Sequence, residues 1–284
     1  MRTPSAANGF DDRVPRDGQV ETMTTHLERR PEQIDEDRWI YVREMDKHFG
    51  GDFLVLSNVN LTVRKGEVVC IVGPSGCGKT TLLNIVAGFE EPSGGICEIA
   101  GEAIHEPGPE RGFVFQRPAL FPWMTVLQNV TIGPRVCGVA RNDWLKRAEH
   151  LLGETGLSQF KDHYPYQISG GMAQRVQLVR VMMNEPSVVL MDEPFGALDY
   201  QTRLSMHQLL LSLHAEYRPT ILFITHDVDE AVFLADRVAV MKRAPGEIVR
   251  ELPIELDRPR ALRHYATKEF AAYKETILGL LGFH

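Results

Sequence analysis

No stretch of this sequence approaches the run of about 18 consecutive apolar residues that a membrane-spanning helix requires. Its N-terminal region also lacks the apolar core of a secretory signal. Any membrane role is therefore expected to come through a partner. Cysteine is scarce: Cys70, Cys77, Cys97 and Cys137 are scattered, with no C-x-x-C pair and no metal-ligand spacing. They read as reduced thiols of a cytosolic protein, which argues against a disulfide framework. Positive charge is not in excess either. A net charge of −7 gives no general attraction to nucleic acid or anionic lipid, so nucleic acid is not an expected partner. Internal repeats and low-complexity runs are also missing.

What is present suits one large α/β domain or one domain with a small appendage: 284 residues, 43% of them apolar and 24% charged. Residues 1–38 are rich in Asp, Glu, Arg, Pro and Thr and cannot bury enough apolar surface to offset their ordering entropy, so they are expected to be a disordered tail. Order is expected from Trp39-Ile40-Tyr41-Val42 onward, with strand-like runs at Asn58–Val63, Val68–Val72, Ile96–Ala100, Gly112–Phe115, Ser187–Met191, Thr220–Thr225 and Arg237–Met241. Between about residues 117 and 182 the pattern turns helical. Trp144, Ala148, Leu151 and Leu152 share one helical face, with Asn142 as the expected cap, and Met172, Val176, Val179 and Met183 repeat the spacing. Strands alternating with helices imply a mostly parallel, layered α/β core carrying a helical insertion. A last amphipathic helix, with Phe270, Tyr273, Ile277 and Leu281 on one face, is expected in residues 261–284.

The chain is organised around Gly73-Pro74-Ser75-Gly76-Cys77-Gly78-Lys79-Thr80-Thr81. An apolar β-branched run precedes it and a helix closed by Gly88 follows it, the context that the phosphate-cradling motif G-x-x-x-x-G-K-[ST] requires. The glycines permit a tight turn that aims backbone N–H groups inward, and the helix start adds positive dipole character. Lys79 supplies a mobile point charge for the β- and γ-phosphates, and the Thr80 hydroxyl a ligand for Mg²⁺. The reading is a nucleoside-triphosphate site. Cys77 lies inside the loop, so a thiol reagent is expected to block nucleotide binding, with protection by ATP.

Other groups sit at the ends of apolar runs. Val188-Val189-Leu190-Met191 delivers Asp192 and Glu193 to the carboxyl edge of the expected sheet, where ligands bind in open parallel sheets. Asp192 can hold Mg²⁺ opposite Thr80, and Glu193 can polarise a water for attack on the γ-phosphate. His226 follows Ile221-Leu222-Phe223-Ile224-Thr225 and can donate to a phosphate oxygen or to the attacking water. Gln116 ends another run and can reach Mg²⁺ or that water with its carbonyl. Ser169-Gly170-Gly171 opens a helix, and from the residues alone it is either an anion site or a glycine-softened cap.

In this order the motifs resemble those of the nucleotide-binding subunit of an ABC transporter, over about residues 39–260. The resemblance places the phosphate loop at 73–81, the glutamine loop at Gln116, the signature at Ile168-Ser169-Gly170-Gly171-Met172, the D-loop at Phe195-Gly196-Ala197-Leu198-Asp199 and the switch histidine at His226. Phe49 takes the position where the family stacks an aromatic ring on adenine. The signature departs from the usual pattern at both ends, Ile168 for Leu and Met172 for Gln, and Phe49 replaces the commoner Tyr. The fold implied is a P-loop NTPase (RecA-like) core with an antiparallel β subdomain and a helical insertion subdomain at about 117–182.

Leu120-Phe121-Pro122-Trp123-Met124-Thr125-Val126, the Ser-Gly-Gly-Met signature and the Asp257-Arg258-Pro259-Arg260 stretch are similar to the nitrate/sulfonate/taurine importer branch. The resemblance implies two cassettes sandwiching two ATP molecules with Mg²⁺. Each ATP is held by one subunit's phosphate loop and by the other's Ser169-Gly170-Gly171, and Asp199 of the D-loop is among the nucleotide-binding residues. The partners implied are a second ATP-binding subunit (an identical copy or close paralogue), integral-membrane permease subunits and, indirectly, a solute-binding protein. The location implied is the cytoplasmic face of the membrane, held peripherally by the permease. Phe121 and Trp123 are candidates to receive a cytoplasmic helix of that permease, or else local core. The competing expectation is a non-transport ABC ATPase of translation or DNA-repair type. Against it stand a single phosphate loop and a short interval, without heptads, between Thr80 and Ser169.

Overall fold

The computed structural model describes residues 35–283. The expected tail lies outside these residues except at its end, where Glu36–Arg38 form a 3₁₀ turn. That turn is tied to the body by the Lys65 N–H on the Glu36 carbonyl and by a Lys65–Glu36 ion pair at 2.7 Å.

Two long antiparallel strands come first, β1 (Ile40–Phe49) and β2 (Phe53–Val63). They run well past the apolar stretches legible in the sequence because register shifts break the alternation between Val42 and His48. Glu44 and Asn58 adopt positive φ there, and Asn60 and Asp46 side chains accept the displaced N–H groups of Glu44 and Asn58. Strand β3 (Val68–Val72) leads into helix α1 (Lys79–Ala87), followed by β4 (Gly94–Ile99), the two-residue β5 (Glu102–Ala103) and β6 (Arg111–Val114). The helical block comprises α2 (Val126–Val136), α3 (Arg141–Glu154) and α4 (Gly170–Met182). Asn142 is not the cap of α3. Ala140 takes that position without a side-chain bond, and Asn142 falls inside the first turn.

The chain then alternates β7 (Val188–Asp192), α5 (Tyr200–Tyr217), β8 (Thr220–Thr225), α6 (Val228–Leu234), β9 (Arg237–Met241) and β10 (Ile248–Pro253), ending in α7 (Lys268–Leu280). Strand β10 has no clear sequence signature: it is an edge strand, mostly exposed, pairing antiparallel with β9.

Two sheets result. The four-stranded sheet has the order β2-β1-β4-β5, and its pairings are antiparallel. The six-stranded sheet has the order β10-β9-β3-β8-β7-β6, and β9 through β6 run parallel. Its central strands are buried on both faces, which is why they read as continuous apolar runs. Alternation then assigns side chains to two cores. Val68, Cys70 and Val72 join the helical block together with α5 and α6, whereas Val69 and Ile71 pack with α1 and the antiparallel sheet. Phe270 and Ile277 bury the inner face of α7 against the first of these cores.

Candidate functional site

The parallel order β3-β8-β7-β6 sets four carboxyl ends side by side. From them leave, in turn, the phosphate loop, His226, the pair Asp192-Glu193, and Phe115-Gln116. Groups far apart in sequence thus share one edge of the sheet, where such folds bind ligands.

The loop between β3 and α1 turns on Gly78, the N-cap of α1, at φ 94°. A β-carbon at Gly78 would lie 2.5 Å from Leu56 Cδ2, so neither the backbone nor the space there accepts another residue. With no capping side chain, first-turn N–H groups of α1 stay available for an anion. Lys79 is buried and donates from Nζ to the carbonyls of Gly73 (2.8 Å) and Pro74 (3.2 Å). The third N–H has only the weak, long contact with Cys77 Sγ at 4.0 Å, which a phosphate oxygen can replace. Cys77 is buried beside it, and burial pushes its thiol pKa up. A thiol reagent therefore has to wait for the loop to open.

Thr80 Oγ1 lies 3.2 Å from Asp192 Oδ1. Burial, with Glu193 close by, raises the Asp192 pKa, and Thr80 and Lys79 pull the other way. A hydroxyl and a carboxylate held together are the hard oxygen donors that suit a small cation drawing its other ligands from phosphate and water. Among the described residues no cluster of three His, Cys, Asp or Glu could hold a metal unaided.

Glu193 stands at φ 42°, a left-handed conformation that costs a non-glycine residue of the order of 1 kcal/mol and is found where a side chain must be aimed. Its N–H donates to the Ile224 carbonyl of β8, and its Oε2 lies 2.9 Å from His226 Nδ1. The His226 ring is 60% exposed and the Glu193 side chain 22%. The pair faces solvent at the sheet edge, within reach of a substrate.

Ser169 caps α4 by accepting the Met172 N–H at 3.2 Å. Among the described residues no hydrogen bond links 169–171 to the phosphate loop. The signature instead abuts the D-loop. Asp199 caps α5 through the Thr202 N–H (3.0 Å) and accepts the Thr202 hydroxyl (2.6 Å), which holds the carboxyl pKa below its usual value. A β-carbon at Gly171 would meet Thr202 Cγ2 at 2.5 Å, so the start of α4 packs directly on this cap. The Asp199 carboxylate is therefore engaged within its own chain.

Phe49 ends β1 with its ring 39% exposed, and the Lys47 ammonium stands 4.8 Å from the ring centre. Gln116 is exposed, and helix α4 fixes the loop that carries it. Buried Gln177 donates to the Phe115 carbonyl (2.8 Å) and accepts the Ala119 N–H (2.9 Å). Gln174 also donates to Phe115 (3.3 Å), and Arg180 donates to the Ala119 carbonyl (2.7 Å). Sequence reasoning missed these three side chains, as it missed Asn129, which holds Phe121, Met124 and Thr125. Nothing in their spacing announces them, because their partners are backbone groups remote in sequence. Trp123 is 69% exposed, whereas Phe121 is half-buried under the Arg180 guanidinium.

Comparison with known proteins gives the family and the fold. Residues 56–196 match the ABC transporter family. The chain is 47% identical over 236 residues to a taurine import ATP-binding protein of Jannaschia sp., spanning 82% of this chain and 88% of that one. To a nitrate import ATP-binding protein of Synechocystis sp. it is 45% identical over 238 residues, covering 81% and 89%. Among solved structures, a dimeric bacterial ABC transporter cassette superposes with a TM-score of 0.67 at 33% identity, covering 77% of this chain and all of the cassette. The same cassette is known in a post-hydrolysis state bound to ADP and Pi, with a TM-score of 0.66. The chain belongs to the ABC transporter family and is one of its ATP-binding ATPases.

Proposed function

From that membership we propose that two copies of this chain, or this chain and a close paralogue, close on two ATP molecules to drive uptake of a small, anionic solute: nitrate, a sulfonate or taurine, bicarbonate or a related organic acid. Separate permease subunits and a solute-binding protein complete the importer. The membrane attachment is peripheral, at the cytoplasmic face. No helix among the described residues is long and apolar enough to cross a membrane, which supports attachment through a partner.

Phe49 stacks on the adenine, while backbone N–H groups of residues 75–81 and Lys79 hold the phosphates. Thr80, Asp192 and Gln116 would hold Mg²⁺, which would neutralise charge on the phosphate oxygens. Glu193 orients and deprotonates the attacking water. His226 donates from Nδ1 to the Glu193 carboxylate and keeps it in place, with the exposed edge of its ring turned toward the γ-phosphate. Ser169, Gly170 and Gly171 of the opposing copy present N–H donors to that phosphate, and Asp199 lies in the shared interface. Phosphate contacts of roughly 1.5–3 kcal/mol each favour closure. The loop with Trp123 at its tip receives the permease, and α4 joins that loop to the signature.

The observation that carries the reading is the pairing of Thr80 with Asp192 at 3.2 Å beside Glu193 with His226 at 2.9 Å. Glu193→Gln keeps the shape and removes the base. It is expected to bind ATP, to accumulate a closed dimer visible by size-exclusion chromatography, and to lose turnover. Near-normal hydrolysis in that variant refutes the assigned role.

A further inference from the structure

Helix α6 has only seven residues, and its N-cap, Asp227, directly follows His226. A helix this short has little stability of its own, so its neighbours set its position. The C-terminal segment grips it at both ends. At its C-terminal end the buried Arg260 guanidinium donates to the carbonyls of Val232 (3.2 Å), Phe233 (3.0 Å) and Ala235 (2.6 Å), and also to Ile254 (3.2 Å). Arg258 donates to the Leu234 carbonyl (3.2 Å) and to Asp236 (2.6 Å). Most of these are the orphan carbonyls of a helix end, and two cations there also complement the helix dipole.

At the other end, the N-cap acid and two acids of the first turn each meet a different partner. Asp227 pairs with Arg203 of α5 at 3.1 Å, and Arg203 also donates to the Leu198 carbonyl in the D-loop (3.0 Å). Asp229 pairs with Lys274 of α7 at 2.9 Å. Glu230, fully buried, lies 2.8 Å from Nε2 of the equally buried His207, whose Nδ1 lies 3.2 Å from the Tyr265 hydroxyl. A carboxylate only accepts, so Nε2 carries a proton toward Glu230, and Nδ1 shares a hydrogen bond with the Tyr265 hydroxyl. Burial pushes the Tyr265 phenol well up, so it stays protonated. The Tyr265 ring stacks on Phe233 of α6 at 4.7 Å, and the His207 ring lies 5.6 Å from Phe195, two residues beyond Glu193.

We infer that residues 258–281 are a positioning element for hydrolysis: they fix α6 at both ends and so set His226 against Glu193, with Tyr265 acting through His207 and Glu230 as a positioning residue. The inference rests on the role given to His226 above. Isolated surface pairs such as Lys274–Asp229 contribute little to stability, but a buried His–Glu contact that also binds a phenol has one satisfied geometry and transmits displacement.

The test uses the full chain. Tyr265→Phe keeps the ring and removes only the hydroxyl, and Lys274→Met removes the second tie without touching the core. Tyr265→Phe is expected to lower kcat by about threefold to tenfold and Lys274→Met by about twofold, each leaving the affinity for a fluorescent ATP analogue within about twofold of wild type. Arg260→Lys, which restores one donor of several, is expected to lose turnover in the same pattern. In a His226→Ala background, Tyr265→Phe is expected to leave the residual turnover unchanged, because the residue it positions is gone. Unchanged kcat in both Tyr265→Phe and Lys274→Met, or an equal fold-loss with and without His226, overturns the inference. Wild-type turnover in His226→Ala alone is a different result: it overturns the role of His226 and the inference built on it.

Discussion

Asn129 offers a direct measure of how firmly the loop displaying Trp123 is held. It is fully buried on α2 and commits its whole amide to that loop. Oδ1 accepts the Phe121 N–H at 2.8 Å, and Nδ2 donates to the carbonyls of Phe121 (3.1 Å), Met124 (3.0 Å) and Thr125 (3.0 Å). Two amide protons cannot serve three carbonyls fully, so the set amounts to about three bonds of roughly 1 kcal/mol net each. Asn129→Ala is therefore expected to cost about 3 kcal/mol. For a chain of this size that corresponds to a fall in Tm of roughly 6–12 °C. Asn129→Asp keeps the acceptor for Phe121 but turns a carboxylate toward three carbonyl oxygens, and burial of that unpaired charge is expected to make it worse than Ala. Thermal unfolding by circular dichroism reads the stability, and hydrogen exchange at the Phe121 amide reads the loop itself. ATP affinity is expected to stay unchanged, since Asn129 bonds to nothing in the phosphate loop. A fall in Tm below about 2 °C with Phe121 still protected refutes the reasoning, as does an Asp variant as stable as wild type.

Two further outcomes follow from the site. Burial raises the Asp192 pKa, so on acidification this carboxyl takes up its proton, and Mg²⁺-dependent binding of an ATP analogue weakens, at a higher pH than an ordinary aspartate dictates. The sign for stability is the reverse: the ionised group penalises the ligand-free fold near neutral pH, and the penalty lifts as pH falls through the raised pKa. Asp192→Asn abolishes the pH step, and a step at or below the ordinary aspartate range counts against the account. A maleimide is expected to modify exposed Cys137 first and buried Cys77 slowly, with ATP slowing Cys77 further, as followed by peptide mass spectrometry. Equal rates at the two thiols, or no protection by ATP, contradict it.

Most of the candidate site was legible because each candidate residue follows its own buried strand. Val68–Val72, Val188–Asp192 and Thr220–Thr225 are apolar throughout or nearly so, and what comes next in each case is a phosphate loop, an acid pair or a histidine. A strand buried on both faces has to be written in apolar residues, so its end is visible as a change of composition. The antiparallel sheet was half legible. Its bulges at Glu44 and Asn58 place polar residues where alternation predicts apolar ones. Asn142 looked like a helix cap and is not one, since local propensity is weak against the turn that leads into α3.

By itself, the sequence determined that this protein is an ATP-binding ATPase, and it supplied the candidates for that work: the glycine pattern with Lys79 and Thr80, the Asp192-Glu193 pair, and His226. Those are local statements, since a loop that binds phosphate needs particular residues at particular spacings. Only the tertiary structure decided which of them meet. The strand order β3-β8-β7 brings Thr80 to Asp192 and His226 to Glu193, and the packing of α4 on α5 seats the signature on the Asp199 cap. The same is true of the side chains that steady the machinery, Gln177 on the glutamine loop and Arg260 with Tyr265 on α6. Their partners are carbonyls and rings many residues away, and a hydrogen bond to a distant backbone group leaves no period and no motif in the chain that makes it.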